Sequence, residues 1–315
     1  MSARIPLPRR PLSILDLGSL LFLGAVWGAV FLFMRIAAPE VGPVWAAETR
    51  IAIGAAVLVA VAGRRTLGAA RGRLTGFLIA GALFSAMPFT FISFATLTLP
   101  AGFAALLNAA TPLFTAAIGV AFMGQRLAWR VVAGLGVGVV AVVELVGFSP
   151  LELGPATILA VAAGLGAPAC YAIGGNYVRA RLSGVEPLEL ATGMLVAGAL
   201  LALPVAFLSG APGTPEPDGI VSLVAVGTLS TAVAWPIFFR VLRRTTPTAA
   251  STVTFIVPAF ALTWASIVLA EPVGVGLLVG FGLILMSLVL VLGIVPAVRL
   301  PIVGGDRQPA AGSRS

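Results

Sequence analysis

WGAVFLFMRIAAPEVGPVWAAETRIAIG, residues 27–54, returns in altered form as YAIGGNYVRARLSGVEPLELATGMLVAG, residues 171–198. A shift of 144 places Trp27 on Tyr171, Arg35 on Arg179, Val41 on Val185, Pro43 on Pro187, Ala47 on Ala191 and Gly54 on Gly198. From the third apolar stretch onward a shift of 146 continues the match without a gap. It sets Gly81 on Gly227, Leu83 on Leu229, Pro112 on Pro258, Phe114 on Phe260, Gln125 on Glu271, Gly134 on Gly280, Gly136 on Gly282 and Gly147 on Gly293. One two-residue length difference between the second and third stretches reconciles the registers. In a chain rich in Ala, Gly and Val the glycines weigh little; the prolines and the polar pair Gln125/Glu271 carry the repeat.

With 59% hydrophobic residues and 10% charged, the chain has too little polar surface to face water all round; a soluble domain carries roughly 25% charged residues. A bilayer-spanning helix needs about 20 apolar residues. That length predicts spans near 14–36, 43–62, 74–95, 101–123, 130–147, 155–178, 187–209, 219–241, 247–270 and 274–295. There are nineteen basic residues, all arginine, and seventeen fall at the N-terminus, at the C-terminus or in alternate gaps between these stretches. The other gaps hold Glu40, Glu152, Glu216, Asp218 and Glu271 and no arginine. By the positive-inside bias, both termini and the arginine-bearing gaps are expected to be cytoplasmic. The same bias accounts for the high pI without a nucleic-acid partner.

The expected fold is an all-α integral membrane protein of ten transmembrane helices in two five-helix repeats, multi-pass in the plasma membrane. The repeats are expected at 14–147 and 155–295, after a cytoplasmic segment 1–13 and before a disordered cytoplasmic tail 301–315. An odd number of helices per repeat makes the second enter the membrane from the opposite side. Inverted repeats of this kind let one bundle rock against the other around a ligand site near the midplane.

Polar groups inside the spans are the candidates for that site. A proline in a helix releases the carbonyl four residues back. Pro112 and Pro258 release those of Asn108 and Thr254, repeat-equivalent polar residues, and the prolines are expected to be bending points. A freed carbonyl in lipid has to face protein or a water-filled cavity. Arg50 lies near the predicted bilayer centre, where an unpaired arginine costs about 2.5–3.5 kcal/mol. Glu48 is a poor partner for it, because residues two apart do not share a helix face. Arg35–Glu48 and Arg50–Glu144 remain as interhelical pairs fixing helix register. Alternatively, Arg35 or Arg50 attracts a carboxylate or phosphate while Glu48 or Glu144 exchanges a proton. Trp27, Phe89 and Trp235, with Phe91 and Phe238, are candidates to wall an apolar cavity. Gly134, Gly136, Gly138, Gly276, Gly280 and Gly282 allow close helix approach in the fifth and tenth spans, or a homodimer through those peripheral helices.

Several chemistries are excluded. The chain has no histidine and a single cysteine, Cys170, so histidine catalysis, cysteine metal clusters and intrachain disulfides are ruled out. No glycine-rich loop ends in Gly-Lys-Ser/Thr, so the chain by itself carries no ATP-driven motor. No catalytic residue, cofactor or metal is called for.

Trp27-Gly28 with Arg35 further along the first span, Pro43 with Arg50 in the second, Pro112 followed by Gly124-Gln125-Arg126-Leu127, and Pro258 followed by Ala270-Glu271-Pro272 together resemble the EamA-type, ten-helix branch of the drug/metabolite transporter superfamily. The likeness runs from about residue 16 to residue 295. Gln125 stands where many members have glutamate. The resemblance implies movement of a small metabolite, with the third, fourth, eighth and ninth helices and parts of the first, second, sixth and seventh surrounding the cavity.

These readings combine into a secondary transporter, not an enzyme, that exports an amino acid or similar amphipathic compound by alternating access. Arg50 and Arg35 would hold an anionic group, Asn108 and Thr254 would hydrogen-bond the cargo, and Glu48 and Glu144 are the proton-coupling candidates. An exporter or flippase of lipid-like or cationic compounds, and a non-transporting scaffold or receptor, are the alternatives.

Overall fold

The computed structural model describes residues 13–62, 73–123, 129–147, 154–244 and 253–292, and every regular element among them is a helix. In chain order these are α1 Ile14–Val41, α2 Pro43–Ala62, α3 Leu74–Thr98, α4 Ala101–Asn108 continuing as Thr111–Met123, α5 Trp129–Gly147 and α6 Pro155–Arg181. There follow α7 Pro187–Leu208, α8 Pro217–Gly227 continuing through Thr228–Val233 to Ala234–Arg244, α9 Val253–Leu269 and α10 Val275–Leu292. Helices α1, α2, α3, α6, α7 and α8 are each long and apolar enough to cross a bilayer. Helices α4, α9 and α10 contain shorter apolar segments, α4 being broken in two, and α5 runs for 19 residues. Large side chains such as Leu200, Phe207, Ile158 and Val224 stand exposed, as lipid rather than water requires. Gln125, Arg126 and the tail 301–315 lie outside the described residues.

Local chemistry sets the ends. Ser13 accepts from the Asp16 amide at 3.2 Å while Asp16 accepts from the Ser13 amide at 3.1 Å, a reciprocal cap for the first turn of α1. Between α1 and α2 the chain spends one residue, Gly42, at φ 85°, a conformation a side chain would strain. Pro43 then opens α2, where its missing N–H has no helical partner to lose.

Both repeats contain a π-helical segment, Ala82–Ala86 in α3 and Thr228–Val233 in α8. Their starts are 146 residues apart, the register read from the sequence. Each inserts a hydroxyl back to its own helix: Ser85 Oγ donates to Gly81 O at 2.7 Å, and Thr231 Oγ1 to Val226 O at 2.8 Å. Each also lies against a glycine of the other repeat. A Cβ on Gly54 of α2 would stand 2.7 Å from Thr231 Cγ2, and one on Gly198 of α7 would strike the Ser85 side chain. The α2–α8 and α7–α3 crossings are thus the same contact made twice, and the two five-helix repeats are inverted around it. Without water to expel, close backbone approach of this kind supplies the dispersion that holds helices together in lipid.

Helix α1 packs on α9, α6 on α3 and α4, and α5 on α10. In the α5–α10 crossing, Gly134 and Gly138 meet Ser287, whose hydroxyl donates to Gly134 O at 2.6 Å, while Gly280 meets Leu145 and Glu144. Gly136 and Gly282 have no such neighbours within 4 Å.

The two prolines expected to act alike differ. Pro112 sits in the first turn after a break at Ala109–Ala110, so it opens the second half of α4 rather than bending a continuous helix. Pro258 lies inside α9.

Candidate functional site

At the junction of the repeats, α2 delivers Arg50, 2% exposed, toward α8 and α3. Its Nε donates to Thr231 Oγ1 at 2.9 Å, and its guanidinium carbon lies 3.5 Å from the centroid of the Phe89 ring. A cation stacked on an aromatic face and tied through one nitrogen is held in place while its other nitrogens point elsewhere. Arg50 Nη1 is buried with no hydrogen-bond partner among the described residues, and so is Trp235 Nε1. An unsatisfied buried donor costs about 1–3 kcal/mol, more when charged, and an incoming acceptor recovers that energy.

Aromatic rings surround this point. Trp235 of α8 lies 5.3 Å from Trp27, 5.6 Å from Phe84, 6.3 Å from Tyr171, 6.0 Å from Phe238 and 5.5 Å from Phe239, centroid to centroid. Trp27 and Tyr171 are the repeat-equivalent residues of α1 and α6, and they converge on the same indole. Phe89 and Trp235 are likewise separated by 146 residues. Trp27 is fixed in turn: its Nε1 donates to Ser230 O at 3.1 Å, and Ser230 Oγ donates to Val26 O at 2.9 Å. Both the Trp27 acceptor and the Arg50 acceptor belong to the π segment of α8, where the altered helical turn aims Ser230 and Thr231 at different helices.

Of the residues singled out from the sequence, Arg50, Phe89, Trp27 and Trp235 come together here. Arg35 does not. It donates from Nη1 to the carbonyls of Thr96 and Leu97, at 2.8 and 2.9 Å, and its Nε lies 3.9 Å from Glu271 Oε1. Glu271 also accepts the Ala101 amide at 3.1 and 3.0 Å, so its charge faces the N-terminus of α4. The expected Arg35–Glu48 pair is therefore replaced by Arg35–Glu271, because Arg35 is drawn to the C-terminal carbonyls of α3. The expected Arg50–Glu144 pair is also absent: Glu144 faces Gly280 at the α5–α10 crossing, and Arg50 has Thr231 and Phe89. Glu48 is buried, and both Glu48 Oε2 and Glu144 Oε2 lack a hydrogen-bond partner among the described residues.

The carbonyl of Asn108 already accepts from Thr111 Oγ1 at 2.8 Å; its side-chain Oδ1 is buried and has no partner among the described residues. Thr254 sits in the first turn of α9 with an interaction of its own. Thr231 escaped the sequence reading, although the 146 shift places it on Ser85. Phe84 and Phe239 had no pattern to mark them.

The two ends of the bundle differ. At the arginine-poor end the Arg35–Glu271–Ala101 contact joins α1, α3, α4 and the α9–α10 turn. There too Glu40 Oε2 accepts the Glu216 amide at 3.0 Å, and Trp45 Nε1 donates to Gly210 O at 2.7 Å. At the arginine-rich end a cavity of about 680 Å³ opens between α2, α8 and the start of α7, with Leu58, Ala232, Arg240 and Arg244 in its wall. A smaller one of about 160 Å³ lies at the other end beside Phe103, Leu262 and Glu271.

Similarity to known proteins agrees with this architecture. Residues 17–147 and 158–293 each match the EamA-like transporter family, one match per repeat. The uncharacterized transporter YvbV of Bacillus subtilis (strain 168) is 26% identical over 277 residues, covering 86% of this chain and 90% of that protein. A crystal structure of 18% identity superposes with a TM-score of 0.61, covering 87% of this chain and 95% of its own, and shares the fold. With ten helices, two inverted repeats and a family match across both of them, this chain is a multi-pass membrane protein that belongs to the EamA-like transporter family.

Proposed function

We propose that the chain is a secondary transporter of the plasma membrane, with both termini cytoplasmic, that exports a small amphipathic metabolite by alternating access. Amino acids are the first class to test. The observation that carries this reading is the pair of buried, unpartnered donors, Arg50 Nη1 and Trp235 Nε1, set among aromatic rings where the repeats meet. A carboxylate satisfies donors of this kind, and the rings of Trp27, Trp235 and Phe238 suit an apolar body. Asn108 Oδ1, on α4, is a further buried acceptor without a partner among the described residues and stands as a separate candidate contact for the cargo. A buried positive charge at the site disfavours a cationic cargo, which ranks lipid-like or cationic compounds second despite the aromatic lining. Glu48, buried in the span that carries Arg50, is the first proton-coupling candidate; Glu144, at the peripheral α5–α10 crossing, is the second.

Alternating access needs the network at the arginine-poor end to open while the arginine-rich end closes. Counterflow of radiolabelled amino acids in proteoliposomes tests the reading: saturable exchange that Arg50→Gln abolishes is expected. Export of cationic dyes with no amino-acid exchange would favour the second reading. No saturable flux of any cargo would leave a scaffold or receptor.

A further inference from the structure

The cavity at the arginine-rich end has a chemical gradient along its wall. One part is aliphatic, built by Val57, Leu58 and Val61 of α2 with Val233 and Pro236 of α8. Val61 is 71% exposed and Val233 39%, so this part lies open on the outer surface of the bundle. The other part is ionic. Arg240 and Arg244 both line it, and four residues apart they share one face of α8. Glu186, at the start of α7, lines the same cavity, so its walls hold two positive groups and one negative. At about 680 Å³ it falls in the size range of organic-ligand sites rather than of single ions or waters.

We propose that this groove is a binding site for an anionic phospholipid, its phosphate held by Arg240 and Arg244 and the upper part of an acyl chain lying over Val61 and Val233. Three features select this occupant. The apolar floor is continuous with the lipid-facing surface, so a chain reaches it without crossing water. The arginines stand at the end of α8, the depth of headgroups, and a guanidinium pair matches phosphate oxygens in geometry as well as charge. Basic pockets between transmembrane helices are general headgroup sites. The occupant would touch α2 of one repeat and α7 and α8 of the other, and so bear on both bundles at once.

The test uses the full-length protein and does not depend on any transported cargo. Native mass spectrometry of protein released from nanodiscs would compare phosphatidylglycerol, phosphatidylethanolamine and inorganic phosphate. Retention of phosphatidylglycerol over phosphatidylethanolamine is expected, reduced about thirtyfold in the double variant Arg240→Gln, Arg244→Gln, as two basic groups near an anionic surface imply. Arg130→Gln, at the same end of the bundle but outside the groove, should retain the wild-type preference. Val61→Trp fills the aliphatic floor without touching the arginines and should weaken retention as well, which keeps the idea testable if the double variant folds poorly. Equal retention of the two lipids, an unchanged preference in the double variant, or displacement of lipid by millimolar phosphate would each overturn the proposal.

Discussion

Arg50 Nε and Thr231 Oγ1, 2.9 Å apart and buried, join α2 of the first repeat to the π segment of the second. The bond fixes the guanidinium over Phe89 and leaves Nη1 without a partner. Replacing Thr231 by valine keeps the shape and removes the acceptor, so the guanidinium Nε loses this hydrogen bond. Thr231→Val should destabilise the protein by about 1–3 kcal/mol in a denaturant titration in detergent, with Thr231→Ser close to wild type. Equal stability of the valine and serine variants would remove the bond from the account.

Arg50 itself separates charge from geometry. Arg50→Lys keeps the charge but loses the planar stack on Phe89 and the fork that leaves Nη1 for cargo. A raised KM for an anionic cargo, with folding retained in gel filtration, is expected for lysine, and loss of saturable flux for glutamine. An unaltered KM in Arg50→Lys would argue that the cargo does not touch the guanidinium.

Close packing gives a paired prediction. Gly54→Val adds atoms where Thr231 Cγ2 already sits, whereas Gly136 has nothing within 4 Å of a new Cβ. Overpacking of this kind costs about 1–3 kcal/mol. Thermal melts should show Gly54→Val well below wild type and Gly136→Ala within the error of it. The reverse order would contradict the α2–α8 crossing.

At the arginine-poor end, Arg35→Gln should cost more than Glu271→Gln. Arg35 holds two carbonyls as well as facing the carboxylate, while the ion pair at 3.9 Å is partly exposed. Exposed pairs couple by only about 0.2–1 kcal/mol. A double-mutant cycle on Tm and maleimide labelling of a cysteine at Ala101 would measure both effects, and a coupling several times larger would make the ion pair the main closure.

Glu48→Gln and Glu144→Gln test proton coupling. With a pH-sensitive dye inside liposomes, cargo-driven proton movement is expected to disappear in Glu48→Gln and to persist in Glu144→Gln. Unchanged proton movement in both variants excludes these carboxylates as carriers.

The sequence disclosed what depends on period and composition. Apolar length gave the spans, and the 146 shift aligned Ala82 with Thr228, but nothing in the residues announced that a π turn begins at each. Four of the residues proposed for the site meet at one point because aromatic and charged groups inside spans have few places to go. Ion pairing was not legible. Arg35 and Glu271 are 236 positions apart, and their meeting depends on carbonyls at the end of α3 and an amide at the start of α4, backbone groups whose availability is decided by where helices stop. The break at Ala109–Ala110 was hidden for the same reason: Pro112 marks a discontinuity, but Thr111, whose hydroxyl takes over the Asn108 carbonyl, decides which side of it the helix ends.

Gly42 alone separates α1 from α2, whereas residues 182–186 separate their counterparts α6 and α7. A one-residue elbow leaves the first hairpin a single pair of backbone torsions to turn about; the second hairpin has slack. Hairpins that are equivalent in the repeat therefore differ in how tightly their two helices are tethered, by one residue in the first half and by five in the second.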